Sequence, residues 1–231
     1  MLKERIESIK NEIENLKIRS SATSRMMAYP NKNELSVGAK TYIEEIVDQI
    51  VYDFKSSISS KQTEKGNTVE DASIELYNKV FFKDYKKATQ SASNEYMKTE
   101  GCDIDDDVDD KIIDIKSPWT KKTMPKTVRK ATESAKKSGY DWQLMSYMSI
   151  FKRKFGEVAY CFSETPEDLC QYEDQSLHTN NVEMTPEDLL ITRVQYQFDA
   201  VKEAQIIAKV KLGRIYALEY FNEILKDHGI N

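Results

Sequence analysis

Cysteine and histidine are scarce in this chain and long apolar runs are missing, and each absence removes a class of protein. The 231 residues hold three cysteines, at 102, 161 and 170, with no Cys-x-x-Cys among them. Three scattered thiols support neither a disulfide framework nor a four-cysteine cluster, so reduced thiols are expected. The two histidines, His178 and His228, lie in polar surroundings and give no basis for a zinc site or a Ser/His triad. No apolar run approaches the roughly 18 residues of a membrane span, and the start, MLKERIESIK, has no signal-peptide core, so a cytoplasmic protein with no membrane partner is expected.

Hydrophobic residues make up 39% and charged residues 32% of the chain, enough for one sizeable core in one elaborated domain over 1–231. The net charge of −5 conceals a segregated pattern. From Glu100 to Asp110 there are seven acids and no bases; from Ser117 to Tyr140 there are seven bases (Lys121, Lys122, Lys126, Arg129, Lys130, Lys136 and Lys137) against Glu133 alone. Acids can gather divalent cations, and an adjoining basic segment can hold phosphates.

Hydrophobic spacing sets out the elements. Leu2, Ile6, Ile9, Ile13 and Leu16 follow a coiled-coil-like a/d pattern too short to stand alone, so this helix must pack on the body or on a neighbouring subunit. RSSATSRMMAYPNKNELSVG reads as connecting structure around a short helix. Tyr42, Ile43, Ile46, Ile50, Val51 and Phe54 predict a helix over about 40–57. KGNTVEDASIELYNKVFF predicts a helix with Glu70 in its first turn. NEYMKTEG, CDIDDD and KIIDIKSP read as a three-strand meander, residues 139–151 as a helix and GEVAYCFS as a strand. TPEDL, at 165–169 and 185–189, carries threonine cap chemistry and should start a helix each time. A long amphipathic helix is expected over about 194–226, ended by Gly229. The sum is an α/β chain, a mixed sheet flanked by helices: N-terminal helices over 1–58, a core over 60–165 and C-terminal helices over 166–231.

Asp114 and Lys116 in KIIDIKSPW stand two apart on one strand, so carboxylate and ammonium point to the same side. An acid, any residue and lysine should occur about five times by chance in this composition; the apolar strand, the SPW turn and the preceding acids set this triplet apart. Phosphodiester hydrolysis needs a water brought to phosphorus and neutralisation of charge growing on the oxygens, which Mg²⁺ ions supply through a few carboxylates and a carbonyl. Asp103, Asp114 and the Ile115 carbonyl are the candidate ligands, with Lys116 to orient the water and help deprotonate it.

Taken in order, Glu70, Asp103, Asp114-Ile115-Lys116 and Gln143-Leu144-Met145-Ser146-Tyr147 resemble the motifs of the PD-(D/E)XK nuclease superfamily. The resemblance is closest to its RecB-like and YqaJ/lambda-exonuclease-type phage recombination enzymes, and it covers roughly residues 60–165. It implies a restriction-endonuclease-like core with helical additions at both ends. Glu70, Asp103 and Asp114 would hold Mg²⁺ or Mn²⁺, Lys116 would be the catalytic lysine, and Gln143 and Tyr147 would face the site from the helix behind. Relatives usually carry Gly-x-Pro-Asp where this chain has Gly101-Cys102-Asp103, which leaves the register open between Asp103 and Asp105. Arg19 and Ser24 resemble in placement the residues that bind a terminal 5′-phosphate, with Arg25 an equal alternative. The resemblance further implies a 5′ to 3′ exonuclease on duplex DNA ends, a homo-oligomeric, often trimeric, ring using residues 1–18 and the last helix, and a single-strand annealing protein as partner. The competing expectations are a structure-specific or repair endonuclease on the same core, and a non-catalytic DNA-end-binding protein.

Overall fold

The computed structural model describes residues 2–55, 60–180 and 182–230. In chain order the elements are α1 (Leu2–Glu14), β1 (Ile18–Arg19), α2 (Thr23–Met26), α3 (Val37–Tyr52), α4 (Lys61–Phe81), β2 (Ala92–Ser93), β3 (Met97–Thr99), β4 (Ile104–Asp106), β5 (Lys111–Lys116), α5 (Val128–Ser138), α6 (Tyr140–Phe151), β6 (Phe155–Cys161), α7 (Glu167–Cys170), β7 (Ile191–Gln197) and α8 (Ala200–Asp227). Four strands form the main mixed sheet in the order β4-β5-β6-β7, parallel only between β5 and β6; a small second sheet runs β1-β3-β2. Among the described residues no helix is long and apolar enough to cross a membrane.

The β5 alternation divides the apolar side chains between two layers. Ile113 and Ile115 join Ala159, Cys161 and Ile191 beneath Ile74 and Tyr77 of α4. Ile112, Val158, Tyr160 and Val194 face the other way, into a larger core built with α1, α3, α6 and α8. Ile112 and Ile113 are both completely buried, and burial of such a side chain contributes roughly 1.5–3 kcal/mol. That double coverage explains why β5 reads as a nearly continuous apolar run.

Several expectations are revised. Ser60 caps α4, accepting from Thr63 N at 3.1 Å, so the helix begins before Gly66 and Asn67 and Glu70 falls in its third turn rather than its first. α3 spans Val37–Tyr52 behind a Ser36 cap and closes on Asp53 in the left-handed region; the expected end at Ser57 lies outside the described residues. The meander is split, because β3 pairs in parallel with β1 instead of joining β4. Neither TPEDL uses its threonine as an N-cap: the first yields the single turn α7 and the second a 3-10 turn over Glu187–Leu190. Residues 191–197 are a strand paired along its whole length with β6, and the last helix starts only at Ala200. Val194, Phe198 and Val201 mimic helical spacing, but Asp199 accepts from Val201 N and Lys202 N and is the true cap. Gly229 does close that helix: with φ +69 it lets its own N–H reach Lys226 O and that of Ile230 reach Leu225 O, a Schellman ending.

The basic segment contains α5, a helix that hydrophobic spacing does not reveal because only Ala131 and Ala135 are buried on it. Gly139 joins α5 to α6 with φ +72, and a Cβ there would meet Ser24 Cβ at 2.1 Å. Left-handed backbone and overpacking each cost on the order of 1–3 kcal/mol. Gly139→Ala should therefore lower unfolding free energy in urea by more than about 2 kcal/mol, and adding Ser24→Gly should recover part of the loss. An unchanged midpoint would mean the corner is not constrained by this contact.

Candidate functional site

β5 ends in a charged cluster. Lys116 Nζ donates to Asp114 Oδ1 at 2.8 Å, and Asp114 is 1% exposed. The β4–β5 register sets Ile104 opposite Ile113, so Asp103 comes beside Asp114, where its Oδ2 accepts the Ile115 N–H at 2.5 Å. Burial raises the Asp103 carboxyl, and the Asp114 charge raises it further, to about 8. Burial likewise raises Asp114, against the pull of Lys116. Burial alone would lower the Lys116 ammonium, but Asp114 and Asp103 hold it well above the usual lysine range. Lys116 also lies 4.6 Å from the centre of the Tyr140 ring.

The other sequence candidates divide between this cluster and elsewhere. Asp105 is held by Arg153 at 2.6 and 3.1 Å, so it is Asp103 that the fold brings to Asp114. The acidic run does not converge on a cation: Asp109 pairs with Lys83, Asp110 with Lys154, and Asp106 accepts from Val108 N and Asp109 N. Glu70 lines the same cleft but its carboxylate is bonded to Lys87 at 2.5 Å. Gln143 and Tyr147 are both buried and bonded to each other, Gln143 Nε2 donating to Tyr147 OH at 2.9 Å. Burial and then the Asp114 charge push the Tyr147 phenol up to about 12, which places it in the field of the cluster.

Among the described residues no three His, Cys, Asp or Glu side chains form a group able to hold a metal together. The donor set of Asp103 and Asp114 nevertheless fits a hard divalent ion. Two like-charged carboxylates are side by side, and Asp114 Oδ2 is buried with no hydrogen-bond partner. An acceptor-only oxygen stranded this way is satisfied by a cation.

The cluster opens onto a cleft of about 610 Å³, walled by Glu70 and Asn67 of α4, by Trp119 after β5, and by Ser134 and Ser138 of α5. The basic segment thus flanks the cleft, although several of its charges are engaged. Lys121 Nζ donates to Asn180 O, Lys126 Nζ to Lys121 O and Arg129 to Glu133, while Lys122 and Lys130 are exposed. Beyond Tyr147 lies a second polar cleft of 670 Å³, lined by Arg19, Ser20, Ser21, Lys55, Lys98 and Thr99 among others. Arg19 reaches it, whereas Arg25 is locked in a two-point ion pair with Glu45 at 2.7 and 2.8 Å and Ser24 packs under Gly139. Sequence reasoning missed Lys98; its signal is topological, since β1 and β3 pair Arg19 directly with Lys98.

The fold is one shared with exonucleases of known structure. A phage-related exonuclease from Haemophilus somnus 129PT shares this structure at a TM-score of 0.85 and 27% identity, over 91% of this chain and 97% of that one. The alkaline exonuclease LHK-Exo from Laribacter hongkongensis has the same fold at a TM-score of 0.61 and 12% identity, over 92% of this chain and 93% of that one. LHK-Exo in complex with dAMP gives 0.59 and 13% over 96% of both chains. The resemblance to lambda-exonuclease-type nucleases, carried in the sequence by four short motifs, therefore holds across nearly the whole structure. No family model matches the sequence, and no curated protein matches it.

The raised Asp103 carboxyl has a consequence for the metal-free protein. An unfolded aspartate titrates near 3.9, so between about pH 4 and 8 the folded state binds the extra proton and stability falls as pH rises. Asp103→Asn removes that charge and should raise the melting temperature in EDTA, most clearly above pH 8. A variant whose melting follows the wild-type pH profile would show that Asp103 does not carry this strain.

Proposed function

We propose that this chain is a divalent-metal-dependent deoxyribonuclease that degrades linear duplex DNA from its ends. The observation that carries this reading is the Asp103–Asp114–Lys116 cluster at the end of a central strand, open to a cleft, on a fold shared with exonucleases. Asp103 and Asp114 would hold Mg²⁺ or Mn²⁺, with Glu70 and the Ile115 carbonyl on the same cleft as further oxygen donors. When bound, the ion supplies Lewis-acid neutralisation of the phosphate oxygens and a more acidic water.

The protein's own groups account for the rest. As arranged, Lys116 is an ammonium, suited to stabilising charge on the phosphate oxygens. Its proton is held by the two carboxylate charges, so once these are neutralised the lysine moves towards the range in which it can take a proton from water. Tyr147, bonded to Gln143, lines the Arg19–Lys98 cleft and stands in the field of the Asp114 charge. Arg19 and Lys98 stand side by side on neighbouring strands, with the exposed Glu100 carboxylate 4.0 Å from Arg19, and adjacent cations favour a further anion. A DNA backbone or a terminal 5′-phosphate has that chemistry and would set 5′ to 3′ polarity. Single strands left by such resection would pass to an annealing protein in phage-type recombination. A ring of subunits around the duplex would use residues 1–18 and the last helix.

Asp114→Asn or Lys116→Ala should reduce Mg²⁺-dependent release of nucleotides from linear duplex DNA by on the order of 10³-fold or more, with circular dichroism unchanged. Covalently closed circles should survive the wild-type enzyme. Rapid cutting of circles would favour an endonuclease, and wild-type rates in both variants would remove the cluster from the chemistry.

A further inference from the structure

We infer that Trp119 is a substrate-contacting residue of this cleft, a fixed aromatic plate for a sugar or base of the DNA strand, and that Thr165, His178, Glu173 and Lys65 are positioning residues acting through it. The inference rests on the nuclease reading above. Trp119 is partly exposed, three residues beyond Lys116, and shares the cleft wall with Asp103 and Glu70.

Both ends of this tryptophan are tied into one hydrogen-bond circuit. Its carbonyl accepts from Thr165 Oγ1 at 3.1 Å, and Thr165 Oγ1 is bonded to His178 Nδ1 at 3.0 Å. His178 Nε2 is bonded to Glu173 Oε2 at 3.1 Å, and the same oxygen accepts the Trp119 indole N–H at 3.1 Å. The His178 ring, fully buried, also meets the indole edge-on, with centroids 5.3 Å apart and planes at 78°. From the opposite side Lys65 of α4 donates to Pro118 O at 2.7 Å and to Trp119 O at 3.2 Å. Lys65 is completely buried, with the Phe162 ring 4.7 Å away and no carboxylate bonded to it, and burial lowers it to about 8.

Burying an ammonium without an acid is costly, and apolar packing alone could have covered a turn. What the ammonium and the circuit add is orientation: the indole cannot rotate about either of its side-chain torsions without breaking the bond to Glu173. An aromatic side chain held in place beside a phosphodiester-cleaving cluster loses little entropy when a nucleotide packs against it. Such base–aromatic contacts are sequence-tolerant, as degradation through arbitrary sequence requires. Lys116, on the same cleft wall, is the cation that can face the phosphate of a strand lying against the plate.

Trp142→Phe makes Trp119 the sole indole, since the chain has two tryptophans. In a Trp142→Phe/Lys116→Ala protein titrated with linear duplex DNA and Mg²⁺, Trp119 emission should be quenched saturably, at the same midpoint as the anisotropy of labelled DNA. Binding by anisotropy with unchanged emission would overturn the inference and leave the nuclease reading standing; absence of both binding and wild-type cleavage would overturn both. In the active enzyme Trp119→Ala should raise KM about 5- to 150-fold with kcat little changed, the loss expected for one stacked base. Trp119→Phe, which keeps a ring but not the N–H, should fall between. His178→Asn should raise KM in the same direction, whereas a lower Tm with unchanged KM would reduce the circuit to a structural role.

Discussion

Two carboxylates and one ammonium meet at the end of β5, Asp114 buried and Asp103 and Lys116 half-buried, and are the constraint around which the fold is arranged. Burial raises both carboxyls and the Asp114 charge raises Asp103 further, while Lys116 partly compensates, so with both acids ionised the cluster is one positive charge short of neutral. Left to itself such a group would draw in water or come apart. It persists because β5 is hydrogen-bonded on both edges, to β4 and β6, and covered on both faces, by α4 on one side and α6 on the other. The strained acids, the orphaned Asp114 oxygen and the open cleft are three aspects of one arrangement.

The irregular segments around that core are held by a recurrent device. Two buried lysines and a half-buried arginine donate to main-chain carbonyls. Lys65 holds Pro118 and Trp119, Lys209 holds Lys32 and Glu34, and Arg214 holds Leu16 and Glu95. Each pins a connecting segment to a helix: the turn after β5 to α4, the loop before α3 to α8, and the end of α1 with the turn before β3 to α8. Carbonyls that secondary structure leaves unpaired are thereby satisfied, and the walls of both clefts acquire fixed positions without extra strands. The N- and C-terminal helices share one apolar core with the sheet, so the elements flanking the motif region in sequence are the ones that brace it in space.

Where a feature depends on neighbours in the chain, the sequence alone determined it. The i, i+2 relation puts Asp114 and Lys116 on one side of a strand, the i, i+4 relation joins Gln143 to Tyr147, and the apolar run of β5 announces burial on both faces. Local capping was legible too, at Gly229 and, had helical spacing not concealed it, at Asp199. What only the tertiary structure decided depends on pairing between distant segments. Antiparallel register selected Asp103 over Asp105, because one slipped position would exchange every partner along β4 and β5. Parallel pairing of two-residue β1 with β3, too short to signal in sequence, set Lys98 beside Arg19. Competition among charges, decided by distance in space, withdrew Arg25 to Glu45 and Glu70 to Lys87. Composition counts charges without saying which are already paired, and so the acidic run, conspicuous as it is in the sequence, contributes one aspartate to the site.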